Sequence, residues 1–521
     1  MDAAGDSAAK VVDAEANKMG IFSCTSYVIG NIIGSGIFIT PTSIVAEVNS
    51  VGLSLVVWAA CGLISLLGSI VYIELGTSII EPGCDFAYVC FVKWYYLLRF
   101  SNSIEVIAQV AFSFMWVGVI ITFPASVAVQ AQTFGQYVVE GLAPLFQLDE
   151  PYAEITRKAL GILLLVGIVW LNFYSLNEFA AKFQIIATVA KLGSMALIIV
   201  AGFYLLIFKG QTSNLENGFK NSNYGVGHIV LGLYAGLWSY AGWDILNYGT
   251  PEIRKPERTM PYSLIVGITI VTSIYMLINI SYFIVLSVDE VKNTTAIAAT
   301  FSQTVFGGFS YIVPFMVAVL ICGTLNSNIF CGSRCMYAAA REGHLPAFLS
   351  CIHEGNGSPR AALLAQGIIT TVLVFINVNK LIECVSFVMS FQRIATVLAL
   401  LWIHYKKIPV HPGAIKIPEI LTWLFLLISI ALVVIPIVTS FVTTMISNAI
   451  LLGGILFYVG VIKRKAIPSW LQRVNNSVTR LTMRFLHCKV DLKEEQNCMP
   501  EPQEDENGRQ EGQTGGLAVI S

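Results

Sequence analysis

Near the middle of its first long apolar stretch the chain reads Ile32-Ile33-Gly34-Ser35-Gly36-Ile37-Phe38. Two glycines flanking a serine each weaken a helix by about 1 kcal/mol. They do so where surrounding lipid would demand unbroken backbone hydrogen bonding. Such an interruption is tolerable only if the freed amides face protein, water or a ligand. The amides opening the resumed half-helix carry the positive end of its dipole, which suits a carboxylate. The stretch reads as a binding site cut into a membrane span.

Working outward, the 521 residues are 55% hydrophobic and only 12% charged. Soluble domains carry about 25% charge, so the expectation is an all-α polytopic membrane protein. A net charge of −1 with no basic block excludes nucleic acid as a partner. The polar first nineteen residues have no hydrophobic core before a cleavage site and do not read as a signal peptide. Eleven cysteines are scattered through spans and polar segments without a tight Cys/His cluster, so no metal site is expected. His228, His344, His353, His404, His411 and His487 lie in loops, tail and helix ends. Nothing there resembles a convergent catalytic set, so neither an enzyme nor a cofactor is expected.

Windows of about 20 apolar residues give twelve transmembrane helices. They lie near 21–46, 51–76, 104–129, 159–178, 183–208, 226–249, 261–286, 310–338, 360–378, 381–404, 418–440 and 442–462. The chain thus divides into an N-terminal tail (1–19), a transporter domain (20–465) and a C-terminal tail (466–521), the last largely disordered from about Lys489. An even number of spans puts both termini on one side. The excess of Lys and Arg in the loops of that side, including Arg254, Lys255, Arg258, Lys406 and Lys407, assigns it to the cytoplasm. Asn293-Thr294-Thr295 is then a glycosylation sequon in an outer loop, whereas those at Asn279 and Asn475 fall in a span and in the tail.

Span six holds a second anomaly, Gly236-Leu237-Trp238-Ser239-Tyr240-Ala241-Gly242-Trp243-Asp244. Aromatics, small residues and an acid crowd a segment that should be plain hydrocarbon. Either segment alone could be a small-residue packing face. Interruptions five spans apart instead fit a five-plus-five inverted repeat with broken helices 1 and 6 and a site between them.

Several separated stretches then resemble the L-type amino acid transporter family, the light chains of heteromeric amino acid transporters in the amino acid–polyamine–organocation superfamily. They are Gly30-Asn31 with the quoted stretch, Val57-Trp58-Ala59-Ala60-Cys61-Gly62, Tyr72-Ile73-Glu74-Leu75-Gly76, Trp238 to Asp244 with Leu246-Asn247-Tyr248, Pro256-Glu257-Arg258, and Arg341-Glu342-Gly343-His344-Leu345-Pro346. The resemblance covers about residues 20–465. It implies sodium-independent exchange of amino acids by alternating access at the plasma membrane. In that family the substrate carboxylate is held by backbone amides that map onto Gly34, Ser35 and Gly36. The α-ammonium meets backbone carbonyls that map onto Ile32, Trp238, Ser239 and Ala241.

Trp238 maps onto the family's aromatic gate, with a plain wall residue as the alternative. Lys191 is a charge about halfway along span five, which costs about 2.5–3.5 kcal/mol on insertion scales. The resemblance implies that it stands where sodium-coupled relatives bind an ion, bracing span one against span eight; snorkelling to the surface is the alternative. Asp244 is expected either to admit cationic substrates or to cap a helix. Glu252 and Arg341 are expected to pair as part of an inner gate, or to be a solvated surface pair.

Three departures from the family stand out. The outer loop from Val139 to Arg157 has no cysteine, so no disulfide to a heavy chain can form there, leaving solitary surface expression or noncovalent contact. The segment between Trp94 and Trp116, with Arg99, Asn102 and Glu105, is roughly ten residues longer than usual. Arg393 in span ten needs a partner, which could be Glu383, Asp244 or an anionic substrate. The functional expectation is an antiporter of neutral L-amino acids, with cationic ones admitted through Asp244. Its rivals are a proton-coupled or facilitative carrier of the same fold and a non-transporting amino acid sensor.

Overall fold

The computed structural model describes residues 18–81, 84–92, 112–143, 145, 149, 152–174, 177–355, 357–462 and 469–492. The insertion around Arg99 to Glu105 lies outside them. The first span is α1 (Ile21–Ile32) and α2 (Gly36–Val48), bent by 49° at the glycine-flanked serine. Next come α3 (Val51–Ser78), the short α4 (Asp85–Val92) and α5 (Phe123–Leu142), the last continuing a helix described from Phe112 onward that contains one π-turn. Then follow α6 (Tyr152–Phe173), α7 (Asn177–Lys209), α8 (Val226–Ser239), the four-residue α9 (Ile245–Tyr248) and α10 (Pro256–Val285). Two short helices, α11 (Val288–Asn293) and α12 (Ile297–Phe306), precede α13 (Ile312–Arg341). The chain closes with α14 (Arg360–Leu373), α15 (Val378–Lys406), α16 (Glu419–Thr439), α17 (Phe441–Phe457) and α18 (Ser469–Leu486).

Among the described residues eight helices are each long and apolar enough to cross a membrane, and the α1–α2 pair makes a ninth span. α6, the interrupted α8–α9 and α14 complete twelve. Large apolar side chains such as Phe208, Val438 and Leu456 remain exposed on the outside, as a lipid-facing surface requires. Local chemistry sets many ends. Ser50 caps α3 by accepting the Leu53 amide, Asn377 opens α15 by accepting the Asn379 amide, and Pro256 sits in the first turn of α10.

Span three ends, and span four starts, elsewhere than hydropathy suggests. Apolar character around span three runs from Tyr95 to Leu148 with only scattered polar residues, and the described part of the helix extends to Leu142. Its buried Gln132 is tolerated because its amide donates to the Ile376 carbonyl. α6 takes in Glu154, Arg157 and Lys158, which depress local hydropathy, in its first turns, where Lys158 pairs with Glu154 and Arg157 with Glu140.

Each of the three inner spans packs against the span five places later: α2 on α8, α3 on α10, and α5 on α13. An in-plane pseudo-twofold axis through the centre produces that arrangement. Both described ends lie on one face, here called the terminal face. Met19 bridges to Ile253, His411 donates to the Ser78 carbonyl, and strand β1 (Cys351–His353) pairs antiparallel with β2 (Cys488–Val490). The tail set aside from residue 466 therefore carries structure before any disorder: α18 and β2, the latter overlapping the expected onset at Lys489. Residues beyond 492 lie outside the description.

Candidate functional site

The two interruptions face each other in the middle of the bundle. α1 ends at Ile32, and Ile33 leaves the helical region with φ −71° and ψ 91°. The Ile33 amide still reaches the Ile29 carbonyl and the Phe38 amide reaches the Ser35 carbonyl. Among the described residues, the amides of Ser35, Gly36 and Ile37 have no backbone acceptor. They stand at the head of α2, where the helix dipole adds to their positive character.

Opposite, α8 stops at Ser239 and the chain turns through Tyr240 to Asp244 before α9. Gly242 takes φ +96°, and its carbonyl accepts the Asn31 side-chain amide at 2.9 Å. A Cβ on Gly242 would meet that same Asn31 nitrogen at 2.2 Å, so only glycine lets the interruptions lock in this way. Gly36 is equally constrained. A Cβ there would stand 2.7 Å from the Cα of Ser239, and the neighbouring Thr40 and Ser239 hydroxyls are 2.6 Å apart.

The carbonyls of Ile32 and Ser239 converge on one point. Both lie 3.1 Å from the hydroxyl of Tyr275 on α10, which also hydrogen-bonds the Gly34 backbone. A phenol has one proton, so one of these carbonyls is always open to another donor. Tyr275 packs edge-on against Trp58 and Tyr240, forming an aromatic wall. One tyrosine among the three of an apolar span gives little signal in sequence, and its bridging role is not legible there. Its clue is the fixed position beside two broken spans.

Other predicted residues fall around this centre. The Trp238 carbonyl already accepts the Ala241 amide, and its half-buried indole packs on a cluster that includes Ile39 and Leu325. The Lys191 ammonium is buried and donates to the Gly30 carbonyl at 3.1 Å, tying α7 to the end of α1. α7 also packs along α13. Asp244 stands at the N-cap position of α9 but makes no side-chain capping bond. Above α2, on the face opposite the termini, a cleft of about 420 Å³ is lined by Ile39, Ser43, Gln132, Lys158, Lys292 and Asn379. Asn293 is exposed on that same face at the end of α11.

The inner-gate pair differs from expectation. Arg341 meets Asp491 at 3.3 Å, because the β1–β2 pairing brings the tail under the end of α13, while Glu252 is exposed and does not pair with it. For Arg393 the geometry sets Glu383 aside. Glu383 lies two to three turns away along α15 and interacts with Ser440 and Thr443, whereas Arg393 sits beside Trp243 and acts electrostatically on Asp244 and Asp85. The ligand atoms of Cys84, Asp85 and Asp244 lie within 4.8 Å of one another, a grouping that sequence distance conceals.

This chemistry suits a zwitterion: open amides on one side and open carbonyls a short distance away. The amino acid permease family model matches residues 19–462. The chain is 44% identical over 466 residues to amino acid transporter protein 6 of Caenorhabditis elegans, covering 89% of this chain and 86% of that one. It is 34% identical over 464 residues to the human b(0,+)-type amino acid transporter 1, covering 89% and 91%. It is also 34% identical over 469 residues to the human cystine/glutamate transporter, covering 89% of each. These relatives are transporters rather than enzymes. Fold, broken spans and matched length agree with the resemblance read from the sequence: the chain belongs to the amino acid permease family.

Proposed function

We propose that the chain is a sodium-independent exchanger of neutral and cationic L-amino acids, working by alternating access at the plasma membrane with both termini in the cytoplasm. The observation that carries this reading is the convergence of the Ile32 and Ser239 carbonyls opposite the unengaged amides of Ser35, Gly36 and Ile37. The α-carboxylate takes the amides, the α-ammonium takes the carbonyls, and Trp238 closes the site. The buried Lys191 ammonium supplies a positive charge beside the first interruption, in the role a bound sodium ion would otherwise fill. Asp244 lies one turn beyond Ala241 and biases the side-chain pocket toward cations. With no cysteine between Val139 and Arg157, the protein acts without a disulfide-linked heavy chain at that loop. Asn293, exposed opposite the termini, is the glycan acceptor.

Purified protein in sealed liposomes tests this reading. Efflux of preloaded labelled amino acid should rise severalfold when external amino acid is added, with or without sodium. Efflux that responds to a proton gradient but not to external amino acid would favour a proton-coupled carrier. Binding without flux would favour a sensor.

A further inference from the structure

Beyond the last span, α18 carries a face that transport chemistry does not use. The far end of this helix is tied to the ends of the spans. Arg360, the first residue of α14, donates to the Leu486 carbonyl at 3.0 Å, and its guanidinium also reaches the Phe173 carbonyl at the end of α6 at 3.5 Å. The last turn of α18 therefore sits at the level where spans four and nine leave the membrane. Its first turn follows span twelve, described to Ile462, after residues 463–468, a link that reaches at most about 25 Å. The helix has 18 residues and is about 27 Å long. Held in this way, it lies along the terminal face, close to the bilayer.

Packing uses only one side of α18. Thr479 is buried, and Met483 and Leu486 pack in a small cluster with Phe348, Cys351 and Cys488. Val474, Leu481 and Phe485, at i, i+7 and i+11, share an adjoining stripe and remain 52%, 57% and 75% exposed. Each is preceded by an arginine, so Arg473, Arg480 and Arg484 form a second exposed row about 100° round the helix. The helix contains no Asp or Glu, and Lys463-Arg464-Lys465 stands in the link from span twelve. An apolar stripe alone names no occupant. Edged by unopposed arginines at the membrane boundary, it matches a surface that offers acyl chains below and anionic groups above. The acidic segment after Lys493 offers charge to the arginines but no aromatic residue to the stripe.

We propose that α18 docks in the plane of the membrane at the terminal face. Val474, Leu481 and Phe485 enter the acyl boundary, and Arg473, Arg480 and Arg484 bind the headgroups of anionic lipids. The docked helix is joined to span eight, because the strand that follows it pairs with β1 and Asp491 meets Arg341 and Tyr337 at the end of α13.

The test uses the full chain with Phe485 replaced by photoreactive p-benzoylphenylalanine, in liposomes of phosphatidylcholine alone or with about one third phosphatidylserine. Lipid adducts formed on irradiation are counted by mass spectrometry. Their yield should rise at least about fivefold with phosphatidylserine, the factor expected from even one arginine near an anionic surface. R473Q/R480Q/R484Q should return the yield to that of the neutral lipid. The same probe in place of Asn476, which is exposed on the far side of the helix, should stay within about twofold of background in both lipids. Equal yields at 485 in the two lipids, equal yields at 485 and 476, or an unchanged yield in the arginine variant would each overturn the proposal. So would adducts to residues 494–521 in place of lipid, which would give the face to the acidic tail. The comparison of lipids keeps all three arginines, so it decides the matter even where the triple variant does not fold.

Discussion

Substituting Gly36 by alanine probes the contact between the two interruptions without removing a proposed ligand group, because the Gly36 amide survives. The new methyl would lie 2.7 Å from both the Cα and the Oγ of Ser239 and 2.9 Å from its Cβ. A Cα cannot swing away as a side-chain tip can, so α2 and α8 must separate by several tenths of an ångström. Overpacking of this kind costs about 1–3 kcal/mol. Because the strain falls on the geometry that joins carbonyls and amides, it should appear as roughly 5- to 150-fold weaker amino acid binding. Folding stability should change less, since alanine is favoured over glycine in a helix by about 1 kcal/mol. Equilibrium binding to purified G36A, with thermal unfolding alongside, separates the two effects. The double variant G36A/S239G removes Cβ and Oγ but leaves the Cα, so it should recover part of the affinity, with a coupling in the range of about 0.5–3 kcal/mol. Binding by G36A within twofold of wild type would refute the idea that the interruptions must meet this closely.

Lys191→Met should leave the Gly30 carbonyl without its donor, at a cost of about 1–3 kcal/mol, and exchange should fall at least about fivefold without being restored by sodium. Asp244→Asn should lower the ratio of arginine to leucine uptake; an unchanged ratio removes Asp244 from selectivity. Outside the membrane, the Ser287 amide and hydroxyl hold the Glu290 carboxyl below its ordinary value of 4.5. A depressed acid stabilises the fold fully above its unfolded pKa and loses that contribution as pH falls through the folded value. Protection factors of the α11 amides, corrected for the intrinsic slowing of exchange in acid, should therefore fall as pH drops below 4.5, more than in the adjoining α10, and a flat profile would discount the capping box.

Much of the architecture was legible because lipid imposes simple rules. Runs of about 20 apolar residues mark spans, and small residues inside them mark interruptions. The Gly34-Ser35-Gly36 and Trp238–Asp244 segments, five spans apart, foretold the centre of the bundle. Less could be read where meaning depends on partners distant in sequence. Tyr275 gains its role only when α10 brings its hydroxyl between Ile32 and Ser239. Arg393 could not be matched with Asp244 and Asp85 until α15, α9 and α4 were placed together, since an isolated charge names no partner. Arg341 has a partner in a tail that composition alone marked as unstructured, because a three-residue strand pairing leaves almost no compositional trace. The end of span three was obscured for a different reason: Gln132 and Thr133 resemble loop residues until their hydrogen bonds are seen.

The most direct measurement is a density map of the protein saturated with an amino acid that it exchanges. The account predicts a ligand between the interruptions, its carboxylate within hydrogen-bonding distance of the Ser35, Gly36 and Ile37 amides and its ammonium at the Ile32 and Ser239 carbonyls. Both segments wound into continuous helix, with the amino acid bound elsewhere, would contradict it.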